Sequence, residues 1–132
     1  MSNEPTVSYR EMSPLTLAFV GDAVLSLSVR KHFSKRARYT INALNAMTVE
    51  VVSAHGQFEA HRLIEDELTD TEKDYVRRGK NASKATVAKN ATPEEYRTST
   101  GMECMFGYLE LTGQQERIEY LTDLMINRLI EA

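Results

Sequence analysis

Apolar residues recur along most of this 132-residue chain at the three- and four-residue spacing of amphipathic helices. The first helix is predicted to begin at Ser13-Pro14, because serine caps a helix N-terminus and proline fits the first helical position. Its apolar positions predict one buried face, made of Leu15, Phe19, Val20, Ala23, Val24 and Leu27. No segment alternates between apolar and polar residues as a strand would. The pattern therefore predicts an all-α fold.

The other elements follow from the same periodicity and from capping signals. The predicted helices cover residues 42–47, a long segment from Thr48 to Ile64, a capped helix from 69–72 to Gly79, a turn at 94–97, a helix from Ser99 or Thr100 to Leu111, and a last helix at 114–130. Residues 80–92 are polar, small and basic, and are predicted to form a loop. The length predicts a single domain over residues 1–132, with its core at 10–130.

Composition excludes several classes of protein. One cysteine cannot form an intrachain disulfide framework, and the N-terminal residues lack the basic and apolar regions of a secretory signal. No apolar run approaches the roughly 20 residues that a transmembrane helix needs. No glycine-rich phosphate-binding motif is present, so nucleotide-dependent chemistry is not expected. We expect a soluble, cytoplasmic protein without a membrane partner.

The formal net charge of −3 by itself argues against a nucleic-acid partner, but the charges are segregated. Eleven of the 16 lysines and arginines lie in residues 30–38 and 77–97, which contain only two acids. The second stretch mixes cations with hydroxyls and amides, groups that contact phosphates and ribose hydroxyls. The candidate RNA-binding residues are Arg77, Arg78, Lys80, Asn81, Lys84, Lys89, Asn90 and Arg97. The alternatives are solvated helix faces of alternating charge and a basic segment that complements a helix dipole.

Two acids stand in apolar helical segments, where an unpaired buried carboxylate is costly. Asp22 lies within residues 18–25 and Glu103 within residues 101–107. Each carboxylate either caps a helix or pairs with an arginine, or the two converge to hold a hard divalent cation for phosphodiester chemistry. Spacing alone leaves these alternatives open. The histidines and Cys104 lack a partner at a suitable spacing, and structural roles are predicted for them.

The segments around these two acids resemble a known family. Residues 19–25, FVGDAVL, resemble the core of the ribonuclease III signature, and residues 100–107, TGMECMFG, resemble that family's second catalytic segment. The resemblance covers residues 10–130 and is closest to the Mini-ribonuclease III branch, a catalytic domain without a double-stranded-RNA-binding domain. Further matching segments occur in order at residues 14–18, 52–54 with Gln57, 77–81, 87–90 and 96–100. Ala18 and Thr100 replace two of the four acids that are usual in full-length ribonuclease III, a reduction that the Mini branch shares.

The resemblance implies an all-α ribonuclease III endonuclease-domain fold that acts as a homodimer, with a catalytic valley across the interface. It implies that Asp22 and Glu103 are the catalytic residues and the ligands of Mg²⁺. The implied reaction cleaves double-stranded RNA, leaving 5′-phosphate and 3′-hydroxyl ends, and the expected substrate is precursor 23S ribosomal RNA. A large-subunit ribosomal protein is a candidate partner on that substrate. With 132 residues, we expect a catalytic domain without the RNA-binding appendage.

Two alternatives from other classes stay open. The first is a non-catalytic RNA-binding or scaffold dimer that acts in ribosome assembly and holds no metal. The second is a helical protein-interaction module, suggested by the acidic C-terminal helix. Mg²⁺-dependent cleavage of duplex RNA distinguishes the enzyme from both.

Overall fold

The computed structural model describes residues 6–84 and 91–131. These ranges contain helices and no strand, so the predicted all-α fold is confirmed. The α-helices are α1 Pro14–Arg36, α2 Ile41–Val52, α3 Ala54–Ile64, α4 Asp70–Ala82, α5 Pro93–Leu111 and α6 Gln115–Ile126. Short 3-10 turns at Tyr9–Glu11 and Glu65–Glu67 and a π-helical turn at Asn127–Glu131 complete the described elements.

The boundary between the second and third helices lies at Ser53, and the predicted boundary at Thr48 is wrong. Ser53 has an extended backbone, and its hydroxyl accepts a hydrogen bond of 3.1 Å from the Gly56 N–H, which caps α3. The Thr48 hydroxyl instead donates to the Leu44 carbonyl over 2.7 Å. Its hydrogen bond is therefore satisfied inside α2, and the helix continues.

The predicted capping box at Thr69 and Glu72 is confirmed, but α4 ends at Ala82 rather than at Gly79. A Cβ atom at Gly79 would lie 2.7 Å from the Gly101 Cα atom. This glycine therefore permits a close approach of α4 to α5 and does not terminate the helix. The first residues of the predicted loop belong to α4.

The predicted turn and helix between residues 94 and 111 are one continuous helix, α5. The polar residues before Gly101 suggest an interruption, but their side chains bond within the helix. Ser99 and Thr100 donate to the Tyr96 carbonyl over 2.8 and 3.1 Å. Local hydrogen bonds of this kind allow buried serine and threonine in a helix.

The buried face of α1 is not the predicted one. Leu15, Phe19 and Leu27 are 46%, 81% and 58% exposed in the single chain. The buried residues of α1 are Leu17, Ala18, Gly21, Leu25, Val29 and Phe33. Both stripes have helical spacing, so the periodicity could not decide between them. The buried face contains Gly21, which lets α1 pack closely against α5.

The central helix is α5, which contacts α1, α3, α4 and α6. Its inward residues are fully buried and include Met102, Met105, Phe106 and Leu109. Cys104 is also fully buried, as expected for a small apolar residue. Within the described ranges, no helix combines the length and the apolarity that a membrane span requires.

Candidate active site

The closest approach of α1 to α5 fixes the position of the two acids. A Cβ atom at Gly21 would lie 1.6 Å from the Glu103 carbonyl oxygen, and one at Gly107 would lie 1.9 Å from the Leu17 carbonyl oxygen. The two helix backbones therefore touch directly, with no side chain between them. Asp22 follows the first of these glycines, so the crossing brings its backbone next to that of Glu103.

Asp22 and Glu103 line one open pocket of about 410 Å³. The remaining lining residues come from α1, from the two residues that follow α4 and from α5; they are Leu15, Ala18, Phe19, Ser83, Lys84, Tyr96 and Thr100. Asp22 is exposed and Glu103 is partly buried. Asp22 is therefore not a carboxylate in an apolar core, contrary to the sequence prediction. Among the ion pairs of the described residues, neither carboxylate pairs with a lysine or an arginine.

Glu103 is the more buried of the two acids. Burial raises the pKa of its carboxyl group to about 7; a hydrogen bond from Gln57 opposes the shift and the neighbouring Asp22 charge adds to it. The Gln57 Nε2 atom donates to Glu103 Oε2 over 3.2 Å. Near neutral pH this carboxyl group is thus poised between its protonated and charged forms, and a cation would favour the charged form.

The two carboxylates suit a hard divalent cation. Mg²⁺ prefers oxygen ligands and commonly binds through one or two carboxylates, with water and substrate phosphate oxygens completing its octahedron. Among residues 6–84 and 91–131, no group of three or more His, Cys, Asp or Glu side chains is arranged to hold a metal ion. Asp22 and Glu103 therefore fit an ion whose other ligands are water and substrate, rather than one enclosed by protein.

The RNA-binding candidates predicted from the sequence occupy different kinds of position. Lys84 lines the pocket beside the acids. Arg77 and Arg78 both pair with Asp74 on their own helix, with 2.8 Å between Arg78 Nε and Asp74 Oδ2. Asn81 is exposed at the end of α4.

The other basic candidates are held by an acid or lie outside the described residues. Lys80 Nζ and Arg97 Nη2 lie 3.0 and 3.5 Å from carboxylate oxygens of Glu94. Lys89 and Asn90 lie outside the described residues. Four of the eight candidates are thus engaged in ion pairs on partly or fully exposed surface. Such pairs contribute only about 0 to 1 kcal/mol each, so a phosphate can replace the acid at little cost.

Two site residues were not assigned from the sequence. Gln57 follows the helical spacing of Ala60 and Ile64 along the buried face of α3. A polar side chain at such a position needs a buried partner, which is the signal that could have revealed its contact with Glu103. Thr100, which replaces an acid that is usual in full-length ribonuclease III, contributes a hydroxyl to the pocket, 3.4 Å from the Ser83 hydroxyl.

The all-helical fold is the one that the resemblance to the ribonuclease III family implies. The family model for the ribonuclease III domain matches residues 15–114. The chain therefore belongs to the ribonuclease III family, which supports an endoribonuclease activity.

The more particular similarity is to proteins named Mini-ribonuclease 3. The chain is 40% identical to the one from Thermoanaerobacter sp. (strain X514), over 91% of this chain and 84% of the relative. It is 38% identical to the one from Staphylococcus aureus, with 96% of each chain covered. A crystal structure of a protein from Fusobacterium nucleatum superimposes with a TM-score of 0.78 at 30% identity, covering 89% of this chain and 94% of that one.

Proposed function

We propose that this chain is a Mg²⁺-dependent endoribonuclease that cleaves double-stranded RNA. The observation that carries the proposal is the placement of Asp22 and Glu103 in one open pocket, at the closest crossing of two helices. Membership of the ribonuclease III family supports the reaction class. The Mini-ribonuclease 3 relatives support the branch to which the activity belongs.

In the proposed mechanism, Asp22 and Glu103 would hold the cation through their carboxylate oxygens. When bound, Mg²⁺ lowers the pKa of a water molecule and stabilises the charge on the leaving 3′-oxygen, which gives 5′-phosphate and 3′-hydroxyl ends. Lys84 lies at the same pocket and can donate to a phosphate oxygen. The direct backbone contact at Gly21 fixes the relative positions of the two backbone segments that carry these carboxylates.

The apolar stripe Leu15, Phe19 and Leu27 supports the proposed homodimer. Phe19 is 81% exposed although it is the largest apolar residue of the stripe. Burial of such a side chain stabilises an association by about 1.5–3 kcal/mol. Because Leu15 and Phe19 also line the acidic pocket, a partner seated on this stripe would border the site. This position agrees with a catalytic valley that runs across the interface.

We propose precursor 23S ribosomal RNA as the substrate, a large-subunit ribosomal protein as a partner on that substrate, and the cytoplasm as the place of action. The support for an RNA substrate in this chain is the cluster of basic residues near the pocket. Lys84 lines the pocket itself, and Lys80 and Arg97 pair with an acid at the start of α5. Contacts of this kind recognise the phosphates and 2′-hydroxyls of an RNA duplex more than its sequence.

The proposal is tested by incubating the protein with duplex RNA and with structured precursor rRNA, with and without Mg²⁺, and by mapping the product ends. We expect cleavage only with Mg²⁺, and 5′-phosphate ends. Asp22→Asn and Glu103→Gln should abolish cleavage without changing the helical content or the oligomeric state. A fully active Asp22→Asn variant would refute the site assignment.

A non-catalytic RNA-binding scaffold is the second candidate. The observation that favours it is the small number of acids in the pocket, because Ala18 and Thr100 line it in place of two acids that are usual in full-length ribonuclease III. A scaffold should protect duplex RNA from other nucleases and yield no product when Mg²⁺ is added. The same incubation therefore separates the two functions.

A further inference from the structure

The side chain of Gln57 is a buried polar group next to one of the two acids. Gln57 is 1% exposed and stands on α3. Its Nε2 atom donates to the Val52 carbonyl over 2.9 Å and to Glu103 Oε2 over 3.2 Å. Its Oε1 atom is buried and has no hydrogen-bond partner among the described residues. The amide thus joins the end of α2 to an acid on α5.

The direction of this amide follows from its neighbours. The Val52 carbonyl can only accept a hydrogen bond, and so can the Glu103 carboxylate when it is ionised, so the NH₂ end of Gln57 faces both of them. The opposite orientation would place an oxygen against two acceptors. The two neighbouring acceptors therefore fix which atom of the amide approaches the acid.

If Gln57 only filled space in the core, an apolar residue would be more favourable at this position. A buried acceptor without a partner costs about 1–3 kcal/mol, and an apolar side chain of the same length would avoid that cost. The amide donates two hydrogen bonds from its NH₂ end, which an apolar side chain cannot do. One of them becomes charge-assisted when Glu103 is ionised, as it would be with a cation bound.

We infer that Gln57 is a positioning residue, whose amide holds the Glu103 carboxylate in the orientation that binds the divalent cation. The inference rests on the proposed function, since it assigns Gln57 a role through Glu103. The Val52 carbonyl fixes the amide, and the amide fixes one carboxylate oxygen. Groups that orient a metal ligand in this way typically change metal affinity or activity by roughly 10- to 100-fold when they are removed.

The experiment measures Mn²⁺ binding to the full chain by electron paramagnetic resonance, in the absence of RNA. Gln57→Met keeps the length of the side chain and removes the N–H donors. We expect its Kd for Mn²⁺ to rise roughly 10- to 100-fold. In cleavage assays, the Mg²⁺ concentration for half-maximal rate should rise by a similar factor, while the rate at saturating Mg²⁺ should largely recover.

A matched control is Thr122→Val, which removes a buried hydroxyl on α6 outside the pocket. Thr122 is 1% exposed, and its hydroxyl accepts from Ser28 over 2.8 Å. This variant should lower the stability of the fold and leave the Kd for Mn²⁺ unchanged. Circular dichroism and urea unfolding of both variants separate an effect on the site from an effect on folding.

A measurement on the unaltered protein covers the case in which Gln57→Met does not fold. In a nitrogen–proton correlation spectrum, the side-chain NH₂ signals of Gln57 should shift on addition of Mg²⁺, with the Kd of the site. Signals that do not move at saturating Mg²⁺ would overturn the inference. A folded Gln57→Met variant with a Kd close to that of the unaltered protein would do the same, because it would leave only a structural role.

The failure of the proposed function has a different signature. If the unaltered protein binds no Mn²⁺, or binds it equally well after Asp22→Asn, the metal site itself is wrong and the role of Gln57 falls with it. If Asp22→Asn abolishes binding and Gln57→Met does not weaken it, the site stands and only the role of Gln57 is refuted.

Discussion

Replacement of Gly21 by alanine tests the helix crossing that brings the two acids together. The added methyl carbon would lie 1.6 Å from the Glu103 carbonyl oxygen and 2.7 Å from the Gly107 nitrogen. Ordinary contact begins near 3.4 Å, so α1 and α5 must separate by about 1.8 Å along that direction. Both obstructing atoms belong to the backbone of a buried helix and cannot rotate away. The strain must therefore be relieved by movement of a whole helix.

Two effects of opposite sign set the size of the change. Alanine is favoured over glycine in a helix by about 1 kcal/mol. Over-packing of a core costs about 1–3 kcal/mol, and backbone-to-backbone overlap belongs at or above the top of that range. We expect a net loss of about 2 kcal/mol or more in the free energy of unfolding. A shift of about 1 Å between catalytic groups can reduce a rate by roughly 100-fold. We therefore expect the cleavage rate of the folded variant to fall by about that factor.

The assay combines urea unfolding, followed by circular dichroism, with cleavage of duplex RNA at saturating Mg²⁺. Unfolding must be compared at one protein concentration, because association contributes to apparent stability. Gly113→Ala is the control: nothing lies within 4 Å of the added carbon, but the residue has a φ of 72°. It should cost about 1–2 kcal/mol and leave cleavage unchanged. If Gly21→Ala matches the unaltered protein in both assays, the described contact between α1 and α5 is refuted.

Three further predictions address association, acid stability and RNA binding. Phe19→Ala should weaken self-association by about 2 kcal/mol, roughly 30-fold in Kd; an unchanged sedimentation profile would show that this stripe is not the interface. Arg117→Met should lower stability at neutral pH by about 3 kcal/mol, measured by urea unfolding, because it strips the buried Glu72 carboxylate of its partner. Burial acts to raise the pKa of Glu72, but hydrogen bonds from Arg117 and from the helix cap outweigh it and lower the pKa. A lowered pKa in the folded state stabilises the fold above the unfolded pKa, and this contribution is lost as the pH falls through the folded value, so the variant should lose less stability on acidification. Arg78→Ala with Lys80→Ala should reduce the slope of log affinity against log salt by about 1 for each phosphate that the variant no longer neutralises; an unchanged slope would exclude both residues as RNA-binding groups.

The helical fold and the ends of several helices could be predicted from the sequence because their causes are local. Ser13, Thr69 and Glu72 cap their helices through contacts three residues apart, and the structure shows each of these contacts. The division of α2 from α3 at Ser53 could not be predicted because Thr48 is also a plausible cap. A hydroxyl can accept from an N–H of the following turn, as Ser53 does, or donate to a carbonyl of the preceding turn, as Thr48 does. The choice depends on tertiary packing, which the local sequence pattern does not contain.

The buried face of α1 could not be predicted for a different reason. Both sides of this helix are apolar, but the side with Gly21 allows α5 to approach closely. Periodicity counts apolar residues and gives little weight to glycine and alanine, so it selects the stripe with Leu15, Phe19 and Leu27. In the single chain that stripe is the exposed one. The error is informative, because an apolar face that the fold does not use is available for a partner.

The ion pairs change the interpretation of the basic segment at residues 77–97. The sequence suggests a basic stretch free to hold RNA, but Asp74 engages both Arg77 and Arg78, and Glu94 engages Lys80. Exposed ion pairs of this kind are weak, so a phosphate can displace the acid. Because the ion pair must first be broken, a phosphate gains less binding free energy from a paired cation than from an unpaired one. The net attraction for RNA is therefore modest even where cations are dense. We therefore propose that selection among RNA duplexes depends on the shape of the surface around the two acids more than on the number of basic residues.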